Sequence, residues 1–200
     1  MSMRRILICV LAAAVSLSAA FALGIGDKAP STAVKMKSVD GREITIKDAA
    51  GEKGTLVVFS CNHCPYVKSW QERIAAIGND ALSRSVGVIV INSNDPTSYA
   101  EDGYDEMKTR AQQLGFKFPY VVDATSDVAR TFGATRTPES FLFTKDGTLV
   151  YHGAIDDAQK AADVEQNYLK DAIDAVVAGK DVAVKETKSV GCSIKFRGAK

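Results

Sequence analysis

The 200-residue chain predicts an α/β sandwich, with a central mixed sheet flanked by helices and an N-terminal β-hairpin. Three observations carry that prediction. The apolar, β-branched run 55–60 ends abruptly in Cys61-Asn62-His63-Cys64, and a helical pattern follows over 67–82, which is strand, turn, helix. A second continuous apolar run, 86–92, comes next, and two such strands joined through a helix pair in parallel. Near the other end, 140–144 and 148–152 flank Lys145-Asp146-Gly147, the turn chemistry of an antiparallel hairpin.

Taken in order, the chain opens with basic Met1-Ser2-Met3-Arg4-Arg5, an apolar run over 6–17, and the small-x-small site Ala20-Phe21-Ala22. This is the pattern of a cleavable secretory signal over 1–22, too short for a membrane span. The expected organisation is then a domain over 23–180 and a tail over 181–200. Residues 32–37 and 42–46 alternate apolar and polar about Asp40-Gly41, a hairpin. In the helix 67–82, Trp70, Ile74 and Ile77 share one face, and Trp70 is expected in the core. Residues 93–103 are a polar loop, and the acids Asp95, Glu101, Asp102 and Asp105 lack the spacing of a calcium site, so a solvated loop is expected. A helix over 104–114 stops at Gly115, a short strand covers 120–122, and a helical turn over 127–132 stops at Gly133. A final amphipathic helix over 165–178 stops at Gly179.

Composition bounds the function. The chain is 46% hydrophobic and 24% charged with a net charge of +1, which becomes −1 once Arg4 and Arg5 leave with the signal. Neither nucleic acid nor stable membrane insertion is indicated. The signal implies a periplasmic or secreted protein, where disulfides persist. Cys61, Cys64 and Cys192 remain after cleavage, and an odd count there implies a free or exchanging thiol.

The Cys-x-x-Cys at a helix start is expected to be chemically active. Unpaired N–H groups and the helix dipole favour negative charge there, so Cys61 is expected to ionise easily and act as nucleophile, with Cys64 resolving. An imidazole at His63 would add positive charge near the thiolate and make the disulfide more oxidising. His152, ending a strand, is expected at the surface. Cys192 stays open between a third redox thiol, brought to the site by the tail, and a buried spectator.

Two signatures in the right order, strand-Cys61-x-x-Cys64-Pro65-helix and Arg136-Thr137-Pro138 before a strand, resemble the thioredoxin superfamily. The stretch Phe59 to Lys68, the Gly153-Ala154-Ile155-Asp156-Asp157 run and the Gly191-Cys192-Ser193-Ile194-Lys195 tail more narrowly resemble peroxiredoxin-like redoxins of the alkyl hydroperoxide reductase and thiol-specific antioxidant group. The resemblance implies a thioredoxin-like fold and thiol–disulfide exchange with protein or small-molecule thiols and a redox recycling partner, without a cofactor. It also implies that Pro138 is cis and turns the Thr137 backbone toward the cysteines. A peroxidase is an alternative, but the peroxidatic pattern P-x-x-x-T-x-x-C would place Val57 and Cys61 where Pro and Thr are needed. A metal-binding module built from the two thiolates and His63 is a further alternative.

Overall fold

A computed structural model describes residues 23–198; the expected signal over 1–22 lies outside them. Six consecutive buried residues make Gly54–Phe59 (β3) a strand covered on both faces, and Val86–Asn92 (β4) is buried throughout as well. Burial on both faces is what an apolar run without alternation requires, and it puts these strands at the centre. They pair in parallel with Leu56 opposite Val88.

The remaining strands are Met36–Ser38 (β1), Glu43–Ile44 (β2), Tyr120–Val122 (β5), Arg136–Thr137 (β6), Glu139–Thr144 (β7), Leu149–Gly153 (β8) and Cys192–Ser193 (β9). Seven of them form one sheet in the order β2-β1-β5-β4-β3-β7-β8. β4 and β5 are parallel, whereas β1–β2, β1–β5, β3–β7 and β7–β8 are antiparallel. The sheet is mixed, as predicted, and β6 and β9 form a separate two-stranded piece.

Alternation along β3 sends side chains to opposite faces. Leu56 and Val58 pack with Trp70 and Ile74 of helix Pro65–Ser83 (α1), Met107 of helix Tyr104–Gln113 (α2) and Leu169 and Ile173 of helix Tyr168–Val177 (α4). Val57 and Phe59 pack with Val128 and Phe132 of helix Asp127–Phe132 (α3) and with Phe141 and Phe143 of β7. Each fully buried Val, Leu or Phe contributes about 1.5–3 kcal/mol, so this two-faced filling dominates the fold. Trp70 is core, as expected, and its indole N–H donates to Asp156 Oδ1 at 2.6 Å.

Two elements are shorter than the sequence suggests. The hairpin loses residues 32–35 because Val34 N–H donates to the Ser31 carbonyl and Thr32 accepts from Lys47, which turns the chain instead of pairing it. The last helix starts at 168 because the N–H groups of Glu165 and Gln166 are held by Asp157 Oδ1. Among the described residues, no helix is long and apolar enough to cross a membrane.

Candidate active site

Strand β3 delivers residues 60–64 to the sheet's C-terminal edge, where Ser60 N–H donates to the Ile91 carbonyl. Helix α1 then begins at Pro65, a residue suited to the first helical position because its missing N–H would be unpaired there anyway. Cys64 is therefore the N-cap, with extended backbone angles φ −63° and ψ 124°. Cys61 lies on the loop before it. Both sulfurs are buried, Cys61 at 2% exposure and Cys64 at 0%. Together with Cys192, which is half-buried, they are free thiols that pack in one cluster with Val67.

The Thr137–Pro138 bond is cis, as the resemblance implied, and the two predicted segments meet. Cys61 Sγ lies 3.1 Å from Thr137 Oγ1, and Cys64 Sγ lies 3.4 Å from the Thr137 carbonyl oxygen. Glu139, 5% exposed, fixes this loop from behind. Its Oε2 accepts the N–H groups of Thr135 and Arg136, and its Oε1 pairs with His152 Nε2 at 2.7 Å. His152 also stacks on Phe141, so it is a packed support for the loop and not the free surface histidine expected.

Asp102 is the main correction. The sequence places it in a solvated loop, yet it is 1% exposed beneath the motif. Its carboxylate accepts the N–H groups of Asn62 (2.6 Å) and His63 (3.2 Å) and the Asn94 amide (2.8 Å). It also pairs with His63 Nδ1 at 2.6 Å. His63 is enclosed between this carboxylate and Tyr99, whose ring stacks on the imidazole at 3.8 Å. A lone acid in a polar loop carries no sequence signal for burial, because its partners come from two other segments.

This arrangement divides the thiols differently from the expectation. The backbone donors of Asn62 and His63 go to Asp102 and not to Cys61 sulfur. The hydrogen bond shared with Cys64, burial and the Asp102 carboxylate push the Cys61 thiol up. The hydrogen bond from Cys61, helped by Cys192 and the Val67 N–H of the helix start, pulls Cys64 down against its burial. Burial and neighbouring Cys64 push Cys192 up to about 11. The reduced protein should thus hold one thiolate through neutral pH. Thiolate absorbance at 240 nm is expected to show a midpoint below about 7.5, against about 8.5 for a free thiol. Loss of that early step in Cys64→Ser would place it at Cys64; a single step near the free value would refute the division.

Cys61, His63 and Asp102 also bring potential ligand atoms within 4.8 Å of one another. His63 Nδ1 and Asp102 already satisfy each other there, so a metal would have to displace that hydrogen bond.

The tail closes the site. β9 pairs antiparallel with β6, placing Cys192 opposite Thr137. An open cleft of about 640 Å³ on this side is lined by His63, Pro65, Tyr99, Cys192 and Lys195 among others.

Comparison with known proteins gives the family and the fold. A solved structure of an uncharacterized conserved protein from Geobacillus kaustophilus is 34% identical, covers 88% of this chain and 94% of its own, and superposes with a TM-score of 0.82. A hypothetical protein from Sinorhizobium meliloti 1021 is 32% identical over 90% of this chain and 98% of its own, also at a TM-score of 0.82. The thiol-disulfide oxidoreductase ResA of Bacillus thuringiensis (strain Al Hakam) is 29% identical over 126 residues, which is 63% of this chain and 67% of that protein. Peroxiredoxin Q of Xanthomonas campestris, 15% identical with a TM-score of 0.53 over 78% of this chain and 94% of its own, shares the fold. The family model for AhpC/TSA matches residues 25–152. With that match spanning both the cysteine loop and the cis-proline loop, the chain belongs to the AhpC/TSA family, as a thioredoxin-superfamily redoxin.

Proposed function

We propose that this protein is an exported thiol–disulfide oxidoreductase in which Cys61 and Cys64 cycle between dithiol and disulfide. The observation that carries it is the cluster itself: two adjacent free thiols at a helix start, both against Thr137 of the cis-proline loop. A thiolate held at Cys64 is both an attacking group and a good leaving group in exchange. Stabilising it stabilises the reduced pair, which makes the disulfide a stronger oxidant. The ResA relatives act as thiol-disulfide oxidoreductases by name, which supports the same chemistry here.

Export rests on the signal pattern of residues 1–22. Substrates are then protein or small-molecule dithiols and disulfides outside the cytosol, with a recycling partner to restore the pair. The peroxidase alternative is disfavoured because Val57 and Cys61 occupy the Pro and Thr positions of the peroxidatic pattern. No peroxide turnover beyond that of free thiol is expected with a dithiol reductant.

The deciding experiment is a redox titration of the full chain against thiol–disulfide buffers, with the linked peptides identified by mass. One two-electron transition on Cys61–Cys64 is expected, at a potential more oxidising than the ~−270 mV of thioredoxin. Absence of a Cys61–Cys64 bond across the range would end this assignment. A potential more reducing than thioredoxin would remove the role given to the Cys64 thiolate.

A further inference from the structure

The tail does more than end the chain. Gly191 approaches the Thr137 carbonyl so closely that a Cβ built there would sit 2.1 Å from that oxygen, so only glycine fits. The Gly191 carbonyl accepts from Arg136 Nη1, and Ile194 N–H donates to the Thr135 carbonyl at 2.9 Å. Beyond it, Lys195 N–H donates to Asn94 Oδ1, Asp95 N–H to the Lys195 carbonyl, and Arg197 N–H to Ser126 Oγ. Ile194 is buried in the α3-side core. These contacts hold Cys192 in register with Thr137 and in the Cys61–Cys64 cluster.

Access is the second observation. The paired sulfurs are sealed, whereas Cys192 lines the open cleft beside His63 and Tyr99. Cys61 and Cys64 do not line that cleft. A substrate arriving there meets Cys192 first.

We propose that Cys192 is the third thiol of the exchange and carries the disulfide between the buried pair and the cleft. The proposal rests on the Cys61–Cys64 assignment above. Starting from the oxidised pair, Cys192 thiolate attacks Cys64 Sγ. The Cys61–Cys64 bond breaks, Cys64–Cys192 forms, and Cys61 leaves as thiolate and takes up the proton Cys192 gave up, with no net oxidation. A substrate thiolate then attacks Cys192 Sγ from the cleft, and Cys64 leaves as the thiolate its surroundings favour. The second thiolate of the substrate attacks its own sulfur on Cys192, which closes the substrate disulfide and frees Cys192. Two electrons pass from substrate dithiol to protein; the reverse sequence reduces a substrate disulfide. The ligand class is accordingly a dithiol or disulfide able to reach a cleft wall, and burial of the pair no longer obstructs turnover.

The test uses the full chain. Full-length Cys61→Ser, oxidised with diamide and digested without reduction, is expected to yield a peptide linking Cys64 to Cys192. Cys192→Ser is expected to keep a two-electron Cys61–Cys64 transition but to exchange with insulin about 10-fold or more slowly, the scale on which losing a reacting group shows in rate. Gly191→Ala, which retains Cys192 but cannot hold the strand against Thr137, should lose the same rate. Insulin exchange by Cys192→Ser at the wild-type rate, or a folded Cys61→Ser chain without the Cys64–Cys192 link, would overturn the proposal and leave the pair intact. A wild-type chain with no Cys61–Cys64 transition would remove both assignments together.

Discussion

Cys64→Ser is expected to end catalysed disulfide exchange, lowering insulin reduction by at least about 10³-fold, the scale of losing one member of a unit that reacts together. Cys64 is the sulfur whose hydrogen bonds reach both other thiols. It is also the sulfur at the helix N-cap, where the anion is best tolerated. Serine at this position preserves size and polarity but cannot form or leave a disulfide, so folding should be little affected. The activity assay is therefore paired with a urea unfolding curve on the reduced protein. A Cys64→Ser chain that folds normally and retains a tenth of wild-type exchange would place the chemistry elsewhere.

The second large effect is structural and falls on Asp102. Asp102→Ala would strand four donors, from Asn62, His63 and Asn94, around an acid that is itself 1% exposed. Leaving a buried donor without its acceptor costs about 1–3 kcal/mol, so a fall in unfolding free energy of about 3 kcal/mol or more is expected. Asp102→Asn keeps one acceptor oxygen and should lose less. It also removes the carboxylate that opposes ionisation of Cys61, so the Cys61 thiolate should appear at lower pH than in the wild type. An Asp102→Ala chain within ~1 kcal/mol of wild type in urea would show that the motif loop does not depend on this acid.

The elements that were legible in the sequence are those whose environment is uniform along their length. β3 and β4 are apolar without alternation because both faces are covered, and α1 shows a helical stripe because one face is. Turn chemistry at Asp40-Gly41 and Asp146-Gly147 marked both hairpins, and Gly41 and Gly147 have the positive φ that those turns need. The meeting of Cys61 and Cys64 with Thr137-Pro138 was legible only through family resemblance. The site's electrostatics were not. Pro65 does signal that the helix begins there, which makes Cys64 and not Cys61 the cap. Asp102 had no comparable signal, since it is buried by partners distant in the chain, and the pairing of Glu139 with His152 depends on the register of two strands. β9 is two residues long, too short for any periodicity to show.

The docking of β9 against β6 bears on chain topology as well as on chemistry. A Cys61–Cys64 bond ties a loop of four residues, whereas a Cys64–Cys192 bond would cross-link the chain from the first helix to its far end. In the loop-closure account of cross-linking, the first restrains the unfolded chain by about 2 kcal/mol and the second by about 5 kcal/mol. Moving the bond by one sulfur would therefore turn a local staple into a girdle around most of the fold, and the proposed exchange would give the oxidised protein two forms of equal oxidation level and unequal resistance to unfolding.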